Sequence, residues 1–265
     1  MSASSSTVVV QSFREYDVPP WVERCLATVK AWAGQRGFSY RMKGDEFLQL
    51  APDWYRRKAR NFITVAADLA RLLFARECLN EGFDRVIWVD ADMVVFRPGL
   101  LRVDVDAPYA YCREVWIETH GDGRFEPQLK VNNAACAFRG DSRAHLEEYI
   151  ESCISIVREL PRVRDHTEVG TRFLTALHRQ KPLPILPGFG LLCPAMMKAL
   201  LRKDDALLNR FVEWQGDPLY AVNLCNFLRA KQKGGPGIGD EMYSAVIDTL
   251  LDGRGFPLGT PPAER

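Results

Sequence analysis

Arg85-Val86-Ile87-Trp88-Val89-Asp90-Ala91-Asp92-Met93-Val94-Val95-Phe96-Arg97-Pro98 is the stretch around which the chain is organised. An apolar run, Val86 to Val89, ends in two carboxylates, and a second apolar run follows until Arg97-Pro98 stops it. Short apolar runs rich in β-branched residues, without polar alternation, predict a strand buried on both faces. Open α/β sheets bind ligands beyond the carboxyl ends of their strands. In an extended Asp-x-Asp the two carboxylates point the same way and can share one cation. Hard divalent ions favour such oxygens and keep positions open for phosphate. The first expectation is therefore a metal-assisted diphosphate site. A structural alternative is a solvated strand end or turn. A second Asp-x-Asp, Asp104-Val105-Asp106, lies between Pro98-Gly99 and Pro108 with no long buried strand feeding it.

Upstream, Val8 to Phe13 reads as a first strand, broken by Asp17-Val18-Pro19-Pro20. Trp21, Val22, Cys25, Leu26, Val29 and Trp32 recur at helical spacing, and Gly37 closes that helix. Phe38 to Met42 is a second short strand, so the order strand, helix, strand opens a parallel sheet. Asp45 to Leu50 reads as a short helix, and a basic, aromatic stretch runs from Trp54 to Arg60. Asn61 to Leu79 predicts a strong helix with a broad apolar stripe. Arg60, Thr64, Asp68 and Arg71 fall near one another on another face of it. That face is either solvated or a nucleotide-facing edge beside the Asp90 strand.

Downstream, Ala110 to Trp116 reads as a strand, residues 117–130 as a mobile loop, and Lys130 to Phe138 as a further strand carrying Asn132 and Asn133. Buried amides need partners, so this pair is either a satisfied turn or a sugar-binding feature. Residues 141–158 form an amphipathic helix, and Asp165-His166-Thr167-Glu168 precedes another from about Val169 to His178. Thr167 and Glu168 either cap that helix or serve the site. Phe189 to Cys193 reads as a proline-bounded edge strand. Residues 205–215 and 240–252 look helical, with Asn223 to Phe227 between them. Lys231 to Gly239 is either a plain linker or a flexible loop over a phosphate.

The 265 residues suit one large domain, about 1–100 forming a nucleotide-binding half and about 101–265 an acceptor half with C-terminal helices. A hydrophobic content of 47% and a charged content of 26% are those of an ordinary globular protein. A net charge of +1 gives no global field for nucleic acid or membrane. The seven cysteines are scattered and never in C-x-x-C, so they read as buried thiols of a reducing compartment. With no signal-peptide pattern and no apolar stretch of membrane-spanning length, a cytoplasmic protein is expected.

The Asp90-Ala91-Asp92 strand, preceded by a helix bearing Asp68-x-x-Arg71, resembles the DXD-containing GT-A glycosyltransferases. More narrowly it resembles the group of glycogenin-like transferases, fungal mannosyltransferases and clostridial toxin glucosyltransferases. Val8 to Phe13 followed by Trp21, Val131-Asn132-Asn133-Ala134, and Val169-Gly170-Thr171 with Leu174-Thr175 also fit that group. The resemblance spans roughly residues 8–195, and the DXD region is its specific part. It implies a Rossmann-like single domain with a mixed sheet flanked by helices. The implied activity is hexosyl transfer from a nucleotide-diphosphate sugar, UDP-sugars favoured, with retention. The implied acceptor is open: a glycan, lipid-linked sugar, protein or small molecule.

Carried residue by residue, the resemblance makes Asp92 a direct ligand of Mn²⁺ or Mg²⁺. It puts Asp90 on the ribose or on the metal through water, Asp68 and Arg71 on the sugar or diphosphate, and Gln11 and Phe13 beside the base. Arg60 joins the nucleotide-binding set and Asn133 the catalytic set; an inverting enzyme would also need a carboxylate base, for which Glu168 and Asp165 are available. Related enzymes often add a metal-binding histidine near the C-terminus. None follows His178 here, and Asn223 is the substitute. Lys231 or Lys233 would stabilise the leaving diphosphate. Two rivals remain. In a haloacid-dehalogenase-like phosphatase, Asp90-Ala91-Asp92-Met93-Val94 would hold the nucleophile and Gly239-Asp240 the second acid. In a sugar-nucleotide-binding scaffold, the fold would bind without turnover.

Overall fold

In a computed structural model, residues 6–229 and 238–253 are described. The chain opens with β1 (Thr7–Ser12), α1 (Pro20–Gln35) and β2 (Ser39–Lys43). Pro20 starts α1, where a missing N–H costs nothing, and Gly37 at φ +69° turns the chain back into β2. A 3₁₀ turn (Asp45–Leu50) and α2 (Asp53–Lys58) lead to the long α3 (Ile63–Asn80), and then β3 (Arg85–Val89) and β4 (Met93–Val95) follow. Next come β5 (Tyr109–Thr119), β6 (Phe125–Arg139), α4 (Arg143–Glu159), α5 (Thr171–Gln180) and β7 (Phe189–Leu191). The last described elements are α6 (Pro194–Arg202), α7 (Asp205–Gln215), β8 (Ala221–Asn223) and α8 (Asp240–Leu251).

Five strands form the main sheet in the order β2-β1-β3-β6-β5. β2, β1 and β3 are parallel, and β6 runs antiparallel to both β3 and β5. Side chains alternate between faces. Val8, Val10, Val86 and Trp88 pack under α3 and α4, while Val9, Ile87 and Val89 pack against Trp32 of α1 on the other side. Both faces are thus buried, which explains the unbroken apolar runs in β1 and β3. This is one mixed α/β domain with its sheet flanked by helices.

The second apolar run does not continue the first strand. Met93 N donates to Asp90 O (3.1 Å), so the chain turns within the Asp-x-Asp and β4 enters a separate sheet, β4-β8-β7. β4 pairs antiparallel with β8, and β7 lies at the edge, as its flanking prolines suggest. Residues 117–130 are not a mobile loop. They complete a long β5–β6 hairpin whose ladder runs out to Thr119 and Phe125, closed by a tight turn in which His120 N donates to Arg124 O (2.9 Å). α6 was not expected from sequence. It is built on Pro194 at its first turn and the buried Met196, Met197 and Leu200. All seven cysteines are buried free thiols. No described helix is long and apolar enough to cross a membrane.

Candidate active site

The Asp90–Asp92 turn sits where β3 leaves the main sheet, and backbone bonds pin it from both sheets. Asp90 N donates to Ala134 O of β6 (2.7 Å), and Leu224 N donates to Asp92 O (3.0 Å). From below, Gln11 Nε2 donates to Asp90 O (3.1 Å), while Gln11 Oε1 accepts from the Tyr40 hydroxyl (2.9 Å).

One guanidinium organises the acids. Arg71 Nη1 lies 3.0 Å from Asp90 Oδ1 and donates to Asn133 O (2.6 Å), and Nη2 lies 3.1 Å from Asp68 Oδ1. Its charge also sits 5.0 Å from the centre of the Trp88 ring, whose indole N–H donates to Asp90 Oδ1 (2.7 Å). Asn133 Nδ2 donates to Asp68 Oδ1 (3.0 Å). At Gly170 an added Cβ would lie 2.6 Å from Asp68 Oδ2, so any side chain there would have to displace the Asp68 carboxylate. Asp92 is held separately: Oδ1 accepts from Asn223 Nδ2 (2.7 Å) and Oδ2 from the backbone N–H of Asn226 (2.6 Å).

Asp68, Arg71 and Asp92 are only 5%, 7% and 9% exposed. The i,i+3 pair on α3 is therefore buried, and the solvated-face alternative falls. Burial raises the Asp68 carboxyl to about 6 against the pull of Arg71 and Asn133. Burial also raises Asp90, opposed by Arg71 and the Trp88 hydrogen bond. Asp92 is raised to about 6 by burial and then by the neighbouring Asp90 charge. Burial pulls Arg71 down, but the Asp90 and Asp68 charges more than offset this and it lies above its ordinary value. Asp68 and Asp90 pair with Arg71 and Asp92 is held by amide groups, so these four side chains together carry a net charge of −2 when all are ionised.

That surplus matches a divalent cation. Among the described residues no three His, Cys, Asp or Glu side chains cluster as a closed metal site. Magnesium-like ions at phosphate sites are usually held by only one or two carboxylates, the substrate phosphates and water supplying the rest. Asp90 and Asp92 fit that role. Asn223 is already engaged, its amide N–H on Asp92 and its Oδ1 accepting from Cys225 N (2.7 Å), so here it orients Asp92.

These groups line a cavity of about 1120 Å³ at the carboxyl ends of β1 and β3. Phe13, Asn133 and Asn223 line it with the four charged residues. Other expected residues lie elsewhere. Gln11 is fully buried beneath the Asp90 turn and is not part of the lining. Arg60 is exposed and borders a small separate hollow with Asp53, Arg56 and Arg57. It precedes Ile63, where α3 begins, so it never shares the helical face of Asp68 and Arg71. Glu168 is off the lining and pairs with Arg172 (2.8 Å). It caps nothing: Gly170 occupies the N-cap of α5 without a side-chain bond. Its neighbour Asp165 does reach the cavity, where Thr167 and Arg172 hold it. Lys231 and Lys233 lie outside the described residues. Asp240, the second acid of the phosphatase reading, accepts from Trp21 Nε1 (3.1 Å) and is not in the cavity.

Sequence reasoning missed Trp88, Glu114, Trp116, Lys130 and Asn226 in the lining. Glu114 and Trp116 alternate with the buried Val115 and Ile117, a period-two signal that marks a shared face. Asn226 acts through its backbone N–H, which leaves no trace in sequence.

No protein-family model and no curated protein matches the chain. Among solved structures it is similar to a glycosyltransferase involved in glycosylation of the major capsid of PBCV-1. That likeness has 10% identity and a TM-score of 0.47, over 91% of this chain and 98% of the other. It is also similar to the glycosyltransferase GlyE of Streptococcus pneumoniae TIGR4, with 10% identity and a TM-score of 0.42. There the match covers 97% of this chain and 66% of GlyE, so the chain spans just under two thirds of that protein's length.

Proposed function

We propose that the chain is a metal-dependent GT-A-type glycosyltransferase that moves a sugar from a nucleoside-diphosphate sugar, UDP-sugars favoured, to an acceptor. The reading rests on one observation: Asp90 and Asp92, beside the buried Asp68–Arg71 pair, lie at the carboxyl end of β3 in a cavity of about 1120 Å³. In this reading Asp90 and Asp92 hold Mn²⁺ or Mg²⁺. When bound, such an ion neutralises the diphosphate leaving group as a Lewis acid. Asn223 and the Asn226 N–H hold both Asp92 oxygens in place. Phe13, at the end of β1, offers its ring to the base. Asp68 and Asn133 form a hydrogen-bonded pair at the cavity wall and present polar atoms to the donor sugar. The first 100 residues thus supply most of the donor half, and later strands supply the facing wall. Retention of configuration follows the resembled group.

The test is thermal melting with UDP, GDP, CMP and their common sugar conjugates, each with and without Mn²⁺. A ligand that binds the native state raises the melting temperature by mass action. A shift that needs both one nucleoside diphosphate and the metal is expected. Asp92→Asn should remove the metal-dependent part and lower transfer by about 10²-fold or more, by analogy with losing one charge-stabilising group. Undiminished turnover in that variant would sink the assignment. Binding without consumption of any sugar nucleotide would favour the scaffold reading.

A further inference from the structure

Apart from Asn133, the part of the cavity wall built by β5 and β6 has no part in the donor reading. Glu114 and Trp116 lie two residues apart on β5, so both project from one face of the hairpin, while Val115 and Ile117 project into the core. In the antiparallel register Glu114 stands opposite Lys130, and Trp116 opposite Gln128. All four line the cavity, as does Asn132 two residues beyond Lys130.

Glu114 is only 7% exposed, although it borders the cavity. A buried carboxylate is costly unless it is paired and hydrogen-bonded. Its Oε2 accepts from Asn132 Nδ2 (2.9 Å), whereas Oε1 has the Lys130 ammonium at the longer distance of 3.5 Å. The same ammonium sits 5.6 Å from the centre of the Trp116 ring. An aromatic ring is thus flanked by an anion, a cation and two amides, Gln128 and Asn132. A pyranose has one face of C–H groups that lies flat on an aromatic ring, and rim hydroxyls that both donate and accept. A carboxylate accepts, an ammonium donates and an amide does both. Ligand sites join apolar and aromatic walls to a few fixed polar groups in this way.

We propose that Glu114 and Trp116, with Lys130 and Gln128, form the acceptor subsite, and that the acceptor it takes is a saccharide. Trp116 seats the apolar face of the sugar ring, and Glu114 Oε1 accepts a hydrogen bond from one of its hydroxyls. This rests on the transferase reading for its role, but the binding itself can be measured alone.

The experiment is saturation-transfer NMR on the whole chain with glucose, maltose, lactose and methyl α-mannoside, each with UDP and the diamagnetic Mg²⁺ present. At least one saccharide is expected to give ring-proton saturation. That signal should be lost in Trp116→Ala, kept in Trp116→Phe, and reduced several-fold in Glu114→Gln. The UDP melting shift should stay unchanged in all three variants, which separates loss of the subsite from loss of the fold. Wild-type saturation in both Trp116→Ala and Glu114→Gln would overturn the proposal. So would the absence of saturation by every saccharide in a protein that binds UDP. If saccharides bind and depend on Trp116 while no nucleoside diphosphate binds, the subsite stands and the transferase reading fails.

Discussion

Asp68 illustrates how a single buried acid carries a pH signature. Its carboxyl is raised to about 6, chiefly by burial, from an unfolded value near 3.8. Between those values the folded state holds a proton that the unfolded state has released. Stability from this group therefore rises as pH falls from about 6 to 4 and is lost as pH rises back through 6. A shift of this size corresponds to about 3 kcal/mol. Equilibrium urea denaturation of the wild type and Asp68→Asn at pH 7 and pH 4 should show the wild type gaining up to that amount over the variant at the lower pH. An equal difference at both pH values would contradict the burial argument. Asp90 and Asp92 were legible in sequence because an apolar strand ended on them, whereas Asp68 stood on a helix face that read equally well as solvated. Gln11, Arg60 and Glu168 lie off the cavity lining: a resemblance names residue types and spacing along the chain groups them, but neither says which side of a turn or helix start a side chain lies on.

At the level of elements, β4, β8 and the intervening turn decide how Asp92 is presented. Met93 pairs with Asn223, so the register of two three-residue strands brings the Asn223 amide to Asp92. Asn223→Ala removes that hydrogen bond and the acceptor for Cys225 N, and should cost about 1–3 kcal/mol. It should also weaken Mn²⁺ binding by about 10-fold or more, as for other residues that orient metal ligands. Asn223→Asp separates orienting from ligating. A ligand would gain affinity from the added charge, whereas an orienting residue is expected to lose it, because a second carboxylate would repel Asp92. Calorimetric titration of both variants with Mn²⁺ gives the answer. The β4–β8 pairing was beyond the sequence reading, since strands of three residues separated by more than a hundred positions leave no periodic signal. The order strand, helix, strand of the first half was legible because each element has its own apolar period and its own stop.

Across the whole molecule, the closing helix is fastened to the opening one. Trp21 of α1 stacks on Tyr243 of α8 with ring centroids 4.1 Å apart, and its indole N–H bonds Asp240. Both rings are fully buried in the cluster that also holds α6 and α7. Trp21→Ala should cost about 3–5 kcal/mol in equilibrium denaturation. The UDP melting shift should survive, because Trp21 takes no part in the cavity lining. The two aspartates bear on the same large-scale question. Asp90 is anchored by its backbone to the five-stranded sheet, and Asp92 to the three-stranded one. An ion gripped by both would act as a rivet across the seam between the sheets. Loading the cavity would then stiffen that seam, and leaving groups would depart from a framework whose rigidity depends on the same charge that drew them in.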